Sequence, residues 1–400
     1  MPAPKPAPAA RPLRRVLFQL GFRPFFLLAG VFATLAVAVW GGLYFQPAAA
    51  AGLPLAPPLW HAHEMVFGYT LAVIAGFLLT AVRNWTGVDT WHGRPLLVLA
   101  LLWLGARAAA MVPHPAALGA MALLDLAFNL ALVAAVVQPV VKARQWQQSG
   151  IVAMPALLTV AHALFYLGAF GLLAAGPTLG LHLGLYLVVL LILVMSRRVV
   201  PFFIERGVEG PVQLTTRPWL ELAVVGAMVA FLLVETLRLS PALAGSLALL
   251  LFALQALRLY DWHTPALWRK PLLWSLYLAL VWIAVGFALK AASVFAAVHP
   301  SLALHALAYG GIGLITLSMM SRVALGHTGR DVARPPRIVG WLFAALIAGA
   351  VVRVLLPLAW PEFYGLWIGL SQVLWIVAFG LFTATYAPML LQPRIDGRPG

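Results

Sequence analysis

A chain of 400 residues that is 63% hydrophobic and 9% charged, with a mean hydropathy of +0.96, lies outside the range of soluble domains and reads as an all-α polytopic membrane protein. The net charge of +15 does not mark a nucleic-acid binder, because positive loops are how a membrane protein fixes its orientation. Cysteine is absent, which excludes disulfides, iron–sulfur clusters, thiolate-ligated haem and thiol nucleophiles, and leaves His, Met, carboxylate or Tyr as metal ligands.

Residues 1–24 open with a Pro/Ala tract carrying Lys5 and Arg11 that cannot build a core, and read as a disordered basic tail and interfacial entry. The tract lacks the compact apolar region and cleavage site of a signal peptide. Residues 25–392 form one transmembrane domain. A ruler of roughly 20 apolar residues per helix marks twelve spans in it, at 25–45, 60–82, 95–112, 117–141, 153–175, 179–200, 219–239, 241–260, 271–292, 301–322, 337–357 and 363–389. The joints at Gly176-Pro177 and Ser240-Pro241 rest on Pro and Gly alone. Residues 393–400 are a short cytoplasmic tail. With both termini inside, only Arg107, Arg238, Lys290 and Arg353 fall to the outer side, so 22 of the 26 Lys and Arg lie inside, as expected of a bacterial inner-membrane protein.

The second span opens with Trp60-His61-Ala62-His63-Glu64-Met65, which places His61, His63 and Glu64 in its first outer turn. On an α-helix His61 and His63 point about 200° apart, so one pair can serve two centres. His61 then shares a face with Glu64 and Met65, and His63 with Phe67, which suits a planar macrocycle. The third and fourth spans carry Arg107 and Asp125, the latter about 12 Å below the outer surface. Their pairing is the natural solution for buried charge, and Arg107 is also placed to reach a haem propionate.

His162, near mid-membrane on the fifth span, suits an interhelical hydrogen bond better than a ligand role. His182 begins the sixth span, and His305 lies about 6 Å into the tenth. Each has a Tyr one turn below, Tyr186 and Tyr309, and both spans end alike, at Met195-Ser196-Arg197 and Met320-Ser321-Arg322. Because the histidine-bearing spans are four apart, three four-helix units are suggested. A lone histidine at this depth would be an interfacial residue. Four at one depth point to a cofactor, since imidazole suits haem iron, copper and zinc, and buried polar groups need partners.

Met65, Met195, Met319 and Met320 are weaker copper candidates, and His92, His114, His263 and His299 fall in loops. At the inner ends, Arg322 and the run Gly326-His327-Thr328-Gly329-Arg330 have the make-up of a tight turn. It presents an imidazole and a guanidinium to an anion, a partner or a second cofactor.

Several of these stretches resemble the NnrS family. They are Leu20-Gly21-Phe22-Arg23-Pro24-Phe25-Phe26, Trp60 to Met65 continuing through Gly68-Tyr69 to Val82, Asn84-Trp85-Thr86-Gly87, Leu304-His305-Ala306-Leu307, Met319 to Val323 and Leu325 to Arg330. Arg83 departs from the Pro expected there. The resemblance implies a haem- and copper-containing membrane protein of the bacterial nitric oxide response and of tolerance to nitrosative stress. Outer-side histidines on spans two and ten of twelve are also similar to the haem–copper oxidase catalytic subunit, where such residues hold a low-spin haem. The seventh span here lacks that subunit's histidine pair.

The expected assignment is haem bound through His63 and His305, with His61, His182 and Glu64 holding copper or a second haem face and Tyr309 and Arg107 beside the cofactor. The partners are the lipid bilayer and nitric oxide, which is small and apolar enough to arrive through it. The electron donor is unassigned, and enzymatic turnover is left open. No carboxylate chain leads from the inside, which argues against a proton pump. The competing reading is a secondary transporter or metal-export protein with an outer histidine site, for which Tyr309-Gly310-Gly311-Ile312-Gly313 is the candidate helix break.

Overall fold

A computed structural model describes residues 16–398, and every regular element among them is helical. A bilayer offers backbone groups no partners, so apolar spans must satisfy them internally. Twelve long helices follow the twelve expected spans: α1 Phe22–Phe45, α2 Pro57–Thr86, α3 Arg94–Ala109, α4 Ala117–Lys142, α5 Ser149–Ala169, α6 Gly176–Gly207, α7 Pro218–Thr236, α8 Pro241–Asp261, α9 Pro271–Phe295, α10 Pro300–His327, α11 Ile338–Ala359 and α12 Pro361–Leu391.

Among the described residues, eleven helices are long and apolar enough to cross a membrane, which makes the chain a multi-pass membrane protein. The exception is α3, whose 16 residues span about 24 Å against a hydrocarbon core of roughly 30 Å. It was expected to run to residue 112. The chain instead turns at Ala110–Met111, because Pro113 pushes the residue before it out of the helical region.

The two Pro/Gly joints become helix starts. Pro177 and Pro241 take first-turn positions, and Ser240 Oγ caps α8 by accepting Leu243 N–H at 3.2 Å. α5 ends at Ala169 rather than 175, which draws His162 toward the end of the bundle that carries the other histidines. α2, α9 and α10 are the most buried helices and stand at the centre of the bundle.

Three stretches widen into π-helix: Glu64–Thr70 in α2, Ala306–Gly313 in α10 and Val351–Leu355 in α11. Such segments favour functional sites, and all three here line one cavity. The Tyr309–Gly313 run is therefore a widened but continuous helix, not a break.

Residues 1–15 and 399–400 of the expected tails lie outside the described residues. Of the remainder, Val16 and Leu20 are buried. Arg23 Nη1 donates to the carbonyls of Leu390 at 2.8 Å and Gln392 at 2.7 Å, tying the start of α1 to the end of α12.

Candidate functional site

Two separate constellations occupy the histidine end, and α2 contributes to both. The first surrounds a cavity of about 440 Å³ between α1, α2, α6, α10, α11 and α12, onto which His61, His182, His305 and Arg353 open. His182 Nδ1 lies 2.8 Å from the Thr178 carbonyl, and His305 Nδ1 lies 2.7 Å from the Ser301 carbonyl. A carbonyl only accepts, so both rings carry a proton on Nδ1, which leaves each Nε2 as the acceptor or ligand atom. This back-bond to the residue four earlier fixes the ring's orientation, as such bonds do for imidazoles that bind metals.

Arg353 Nη2 donates to His305 Nε2 at 3.1 Å, and its Nη1 reaches Tyr364 Oη at 3.2 Å. The His61 ring stacks on Trp40, with centroids 4.5 Å apart and planes 8° off parallel. Tyr309 lines the same cavity, but its hydroxyl is committed to the Ser371 carbonyl at 2.8 Å.

The second constellation is closed and buried between α2, α3, α4 and α5. His63 Nδ1 is 3.0 Å from Glu64 Oε1, and its Nε2 is 2.8 Å from His162 Nε2. His162 Nδ1 meets the Asn129 side-chain amide at 2.9 Å, and its ring is clamped between Phe67 and Tyr166. Arg107 Nη2 donates to both oxygens of Asp125, at 2.6 and 2.5 Å, and Tyr166 Oη donates to Asp125 Oδ2 at 2.6 Å. Arg107 Nε also stands 3.1 Å from Glu64 Oε2.

Gly68 makes the pairing possible. A Cβ there would fall 2.6 Å from Arg107 Nη1 and 2.9 Å from Glu64 Oε2.

The proton arrangement in this group decides whether it can hold a cation. Glu64 accepts from His63 Nδ1–H, so in the neutral ring His63 Nε2 is a lone pair. If His162 donated from Nε2, its Nδ1 would take an Asn129 N–H and leave Asn129 Oδ1 buried without a partner, which is how the amide is oriented here. Turning the amide over satisfies Asn129 and puts the His162 proton on Nδ1, since O and N exchange places freely at an amide. Two Nε2 lone pairs then face each other.

Two carboxylates, Glu64 and Asp125, face the single guanidinium of Arg107, so a bound cation or an imidazolium would complete the group. The three atoms His63 Nε2, His162 Nε2 and Asp125 Oδ2 are 2.8, 3.6 and 3.7 Å apart. A point equidistant from them lies about 2.0 Å from each, the length of a bond from zinc or a similar ion to nitrogen or oxygen. The donor set, two imidazoles and a carboxylate, therefore fits a metal ion.

These positions correct several expectations. His63 and His305 do not face one another: His63 Nε2 meets His162, and His305 Nε2 meets Arg353. Glu64 joins His63 rather than His61, because a π-turn begins at Glu64 and Arg107 attracts the carboxylate to the His63 side. His162 makes the expected interhelical hydrogen bonds, but in doing so it enters the group competent to hold a metal. With α5 ending at Ala169 it lies only about 10 Å below the histidine end, level with its partners.

The Arg107–Asp125 pair forms as the sequence suggested. Sequence reasoning missed Arg353, which stood only as an outer-side charge, and Trp40, which it did not single out. His61 and His63 do point to different sites, and Met65 lines the cavity with His61.

The remaining candidates lie at the opposite end. The Arg322 guanidinium sits 3.8 Å over the Phe203 ring, and His327 borders a second cavity with Met195 and Met319. In the Gly326–Arg330 turn, Gly329 takes a positive φ of 80° and the Arg330 amide donates to the Leu325 carbonyl at 2.9 Å. The chain's own residues dock there: Ile395 N–H donates to the Thr328 carbonyl and Arg394 Nη1 to the His327 carbonyl.

Comparison with protein families matches residues 16–394 to the model described as NnrS protein. Comparison with curated proteins finds no match.

Proposed function

The chain belongs to the NnrS family, and from that premise we propose that it is a haem- and copper-binding protein of the bacterial inner membrane acting in the response to nitric oxide. The observation that carries the reading is the arrangement of donors, in which two imidazoles turn their Nε2 atoms toward each other beside Asp125 in a buried group where two carboxylates face one guanidinium. His63, His162 and Asp125 would hold the copper ion. Arg107 and Tyr166 fix the Asp125 carboxylate, while Glu64 and Asn129 fix the two rings.

The open cavity suits the haem. Its volume lies within the range of ligand pockets, roughly 300–1,000 Å³, and it has apolar walls with few polar groups. His182 would hold the iron through Nε2, and His305 would do so once Arg353 releases its Nε2. Arg353, which caps His305 Nε2, has the planar fork that matches a propionate carboxylate. When bound, the haem iron supplies a site for a diatomic ligand and the copper supplies a one-electron redox centre.

The chain's own residues hold these donors in their tautomers and exclude water with Trp40, Phe67 and Phe165. The cavity stays apolar enough for nitric oxide to enter from the bilayer. An absorption spectrum with metal analysis of the purified full-length protein tests the proposal. A Soret band with stoichiometric copper is expected, and the absence of both overturns it.

A further inference from the structure

Cations inside this bundle pair with carboxylates, as a membrane interior requires: Arg107 with Asp125 and Glu64, Arg258 with Glu221, and Lys290 with Glu235. Arg353 on α11 departs from that pattern. Its side chain is 9% exposed and makes no ion pair among the described residues, and none of the residues lining the first cavity, onto which it opens, is acidic. Its partners are two neutral groups. Nη1 donates to Tyr364 Oη at 3.2 Å, and Nη2 donates to His305 Nε2 at 3.1 Å.

Pro357 sets the backbone there. Four residues after Arg353, it has no N–H to offer the Arg353 carbonyl, so α11 cannot keep its α-helical register. Leu356 N–H instead reaches the Val351 carbonyl, and the Val351–Leu355 turn widens. Arg353 stands at the middle of that turn, between His305 of α10 and Tyr364 of α12.

A second donor at the cavity is also unmet. The Gln372 side-chain amide on α12 lines the same space, and its Nε2 is buried without a hydrogen-bond partner. A buried guanidinium without a counter-charge and a buried amide without an acceptor both favour an occupant that carries acceptor oxygens, and the guanidinium favours a negative one.

The same arrangement governs His305. Its Nδ1 proton is held by the Ser301 carbonyl, so Nε2 carries its one ring lone pair, and Arg353 occupies it. His305 cannot bind iron and the guanidinium at once. A carboxylate draws the guanidinium away, because a charge-assisted, two-point pair is stronger than one hydrogen bond to a neutral imidazole.

We propose that Arg353 selects the occupant of the first cavity by its free carboxylate, and that this carboxylate unmasks His305 as an iron ligand. This positioning role rests on the haem reading of the cavity and ties ligation by His305 to capture of a propionate. A porphyrin of the same shape with its carboxylates esterified fills the cavity without releasing His305.

The test titrates haem, and haem dimethyl ester with both propionates esterified, into the full-length protein prepared free of haem in detergent, reading affinity and Soret position for each. The wild type should bind haem about tenfold or more tightly than the ester. His305→Ala should shift the Soret band of the haem complex and leave that of the ester complex in place. Arg353→Leu should erase the preference, weakening the acid and tightening the ester, and should give the ester complex the Soret band of wild type with haem. Arg353→Lys keeps the charge without the planar fork and should restore part of the preference. A purely structural role for Arg353 would change acid and ester alike. The wild-type comparison and Arg353→Lys serve if Arg353→Leu does not fold.

Equal affinity of the wild type for acid and ester with the same Soret band, or a preference that survives Arg353→Leu, would overturn the proposal and leave haem binding intact. Binding of neither porphyrin would overturn the haem reading and this role with it.

Discussion

Charge is buried in two parts of this bundle, and the two are built on different terms. At the α7–α8 contact Arg258 is fully used. Its Nε donates to Glu221 Oε1 at 3.1 Å, Nη2 to the Leu193 carbonyl at 3.1 Å and Nη1 to Gln255 Oε1 at 3.3 Å, and the guanidinium lies 4.2 Å from the Trp262 ring. One cation meets one anion, and a carbonyl, an amide oxygen and an aromatic face complete the guanidinium's surroundings. Lys290 and Glu235 pair in the same way between α9 and α7.

Around His63 a single guanidinium faces two carboxylates, and two imidazoles share one hydrogen-bond axis. The balanced site is what stability inside a membrane demands. The other gathers two imidazoles and a carboxylate around one point, which is why it reads as a binding site and the first as a structural pair.

The largest expected effect of breaking this contrast is that of Arg107→Leu. Removing the guanidinium leaves Glu64 and Asp125 buried together, a loss of about 3–5 kcal/mol or more, read as a collapse of the thermal midpoint in detergent. Arg258→Leu strands only Glu221 and should cost less; if it were the more damaging of the two, the contrast would fail. His162→Phe comes next. The phenyl ring keeps the stack between Phe67 and Tyr166 but removes one donor, so copper should be lost with little change in thermal midpoint and with haem retained.

Gly68→Ala should cost about 1–3 kcal/mol through crowding of Arg107 and Glu64, and should lower copper affinity without touching the Arg258 site.

The smallest effect lies at the far end. The hydrogen bonds from the Arg394 guanidinium hold the Asp396 carboxyl below its usual range. A depressed value in the folded state means that the docking it supports is complete above the unfolded value of about 3.9 and fades as pH falls through the folded one. Asp396→Asn should therefore speed hydrogen exchange at the Ile395 amide, which donates to Thr328, at neutral pH more than in acid.

Much of the fold was legible because the bilayer imposes a length and a polarity on every span, and twelve apolar runs with a positive-inside pattern left little freedom. Arg107 and Asp125 could be paired for the same reason: an isolated charge at that depth has few alternatives. The site was legible only as far as periodicity holds. His61 and His63 could be sent to different sides by their spacing, but the π-turn that begins at Glu64 changes which residues share a face, and no residue in Glu64–Thr70 announces it.

His162 was hidden by a boundary. Counted within a span ending at residue 175 it looked too deep to meet His63, whereas α5 stops at Ala169. Arg353 was hidden by distance, since nothing local to α11 says that its guanidinium will cap an imidazole 48 residues earlier.

The central claim is that His61 and His63, two residues apart, serve two independent centres, His61 beside His305 and His63 beside His162. Haem and copper measured together on the same purified samples of His63→Ala and His305→Ala test it most directly. The account predicts that His63→Ala loses copper and keeps the Soret band, while His305→Ala weakens or shifts the Soret band and keeps copper. Joint loss of both cofactors in either variant, with the protein still folded, would contradict it and return all the histidines to one shared site.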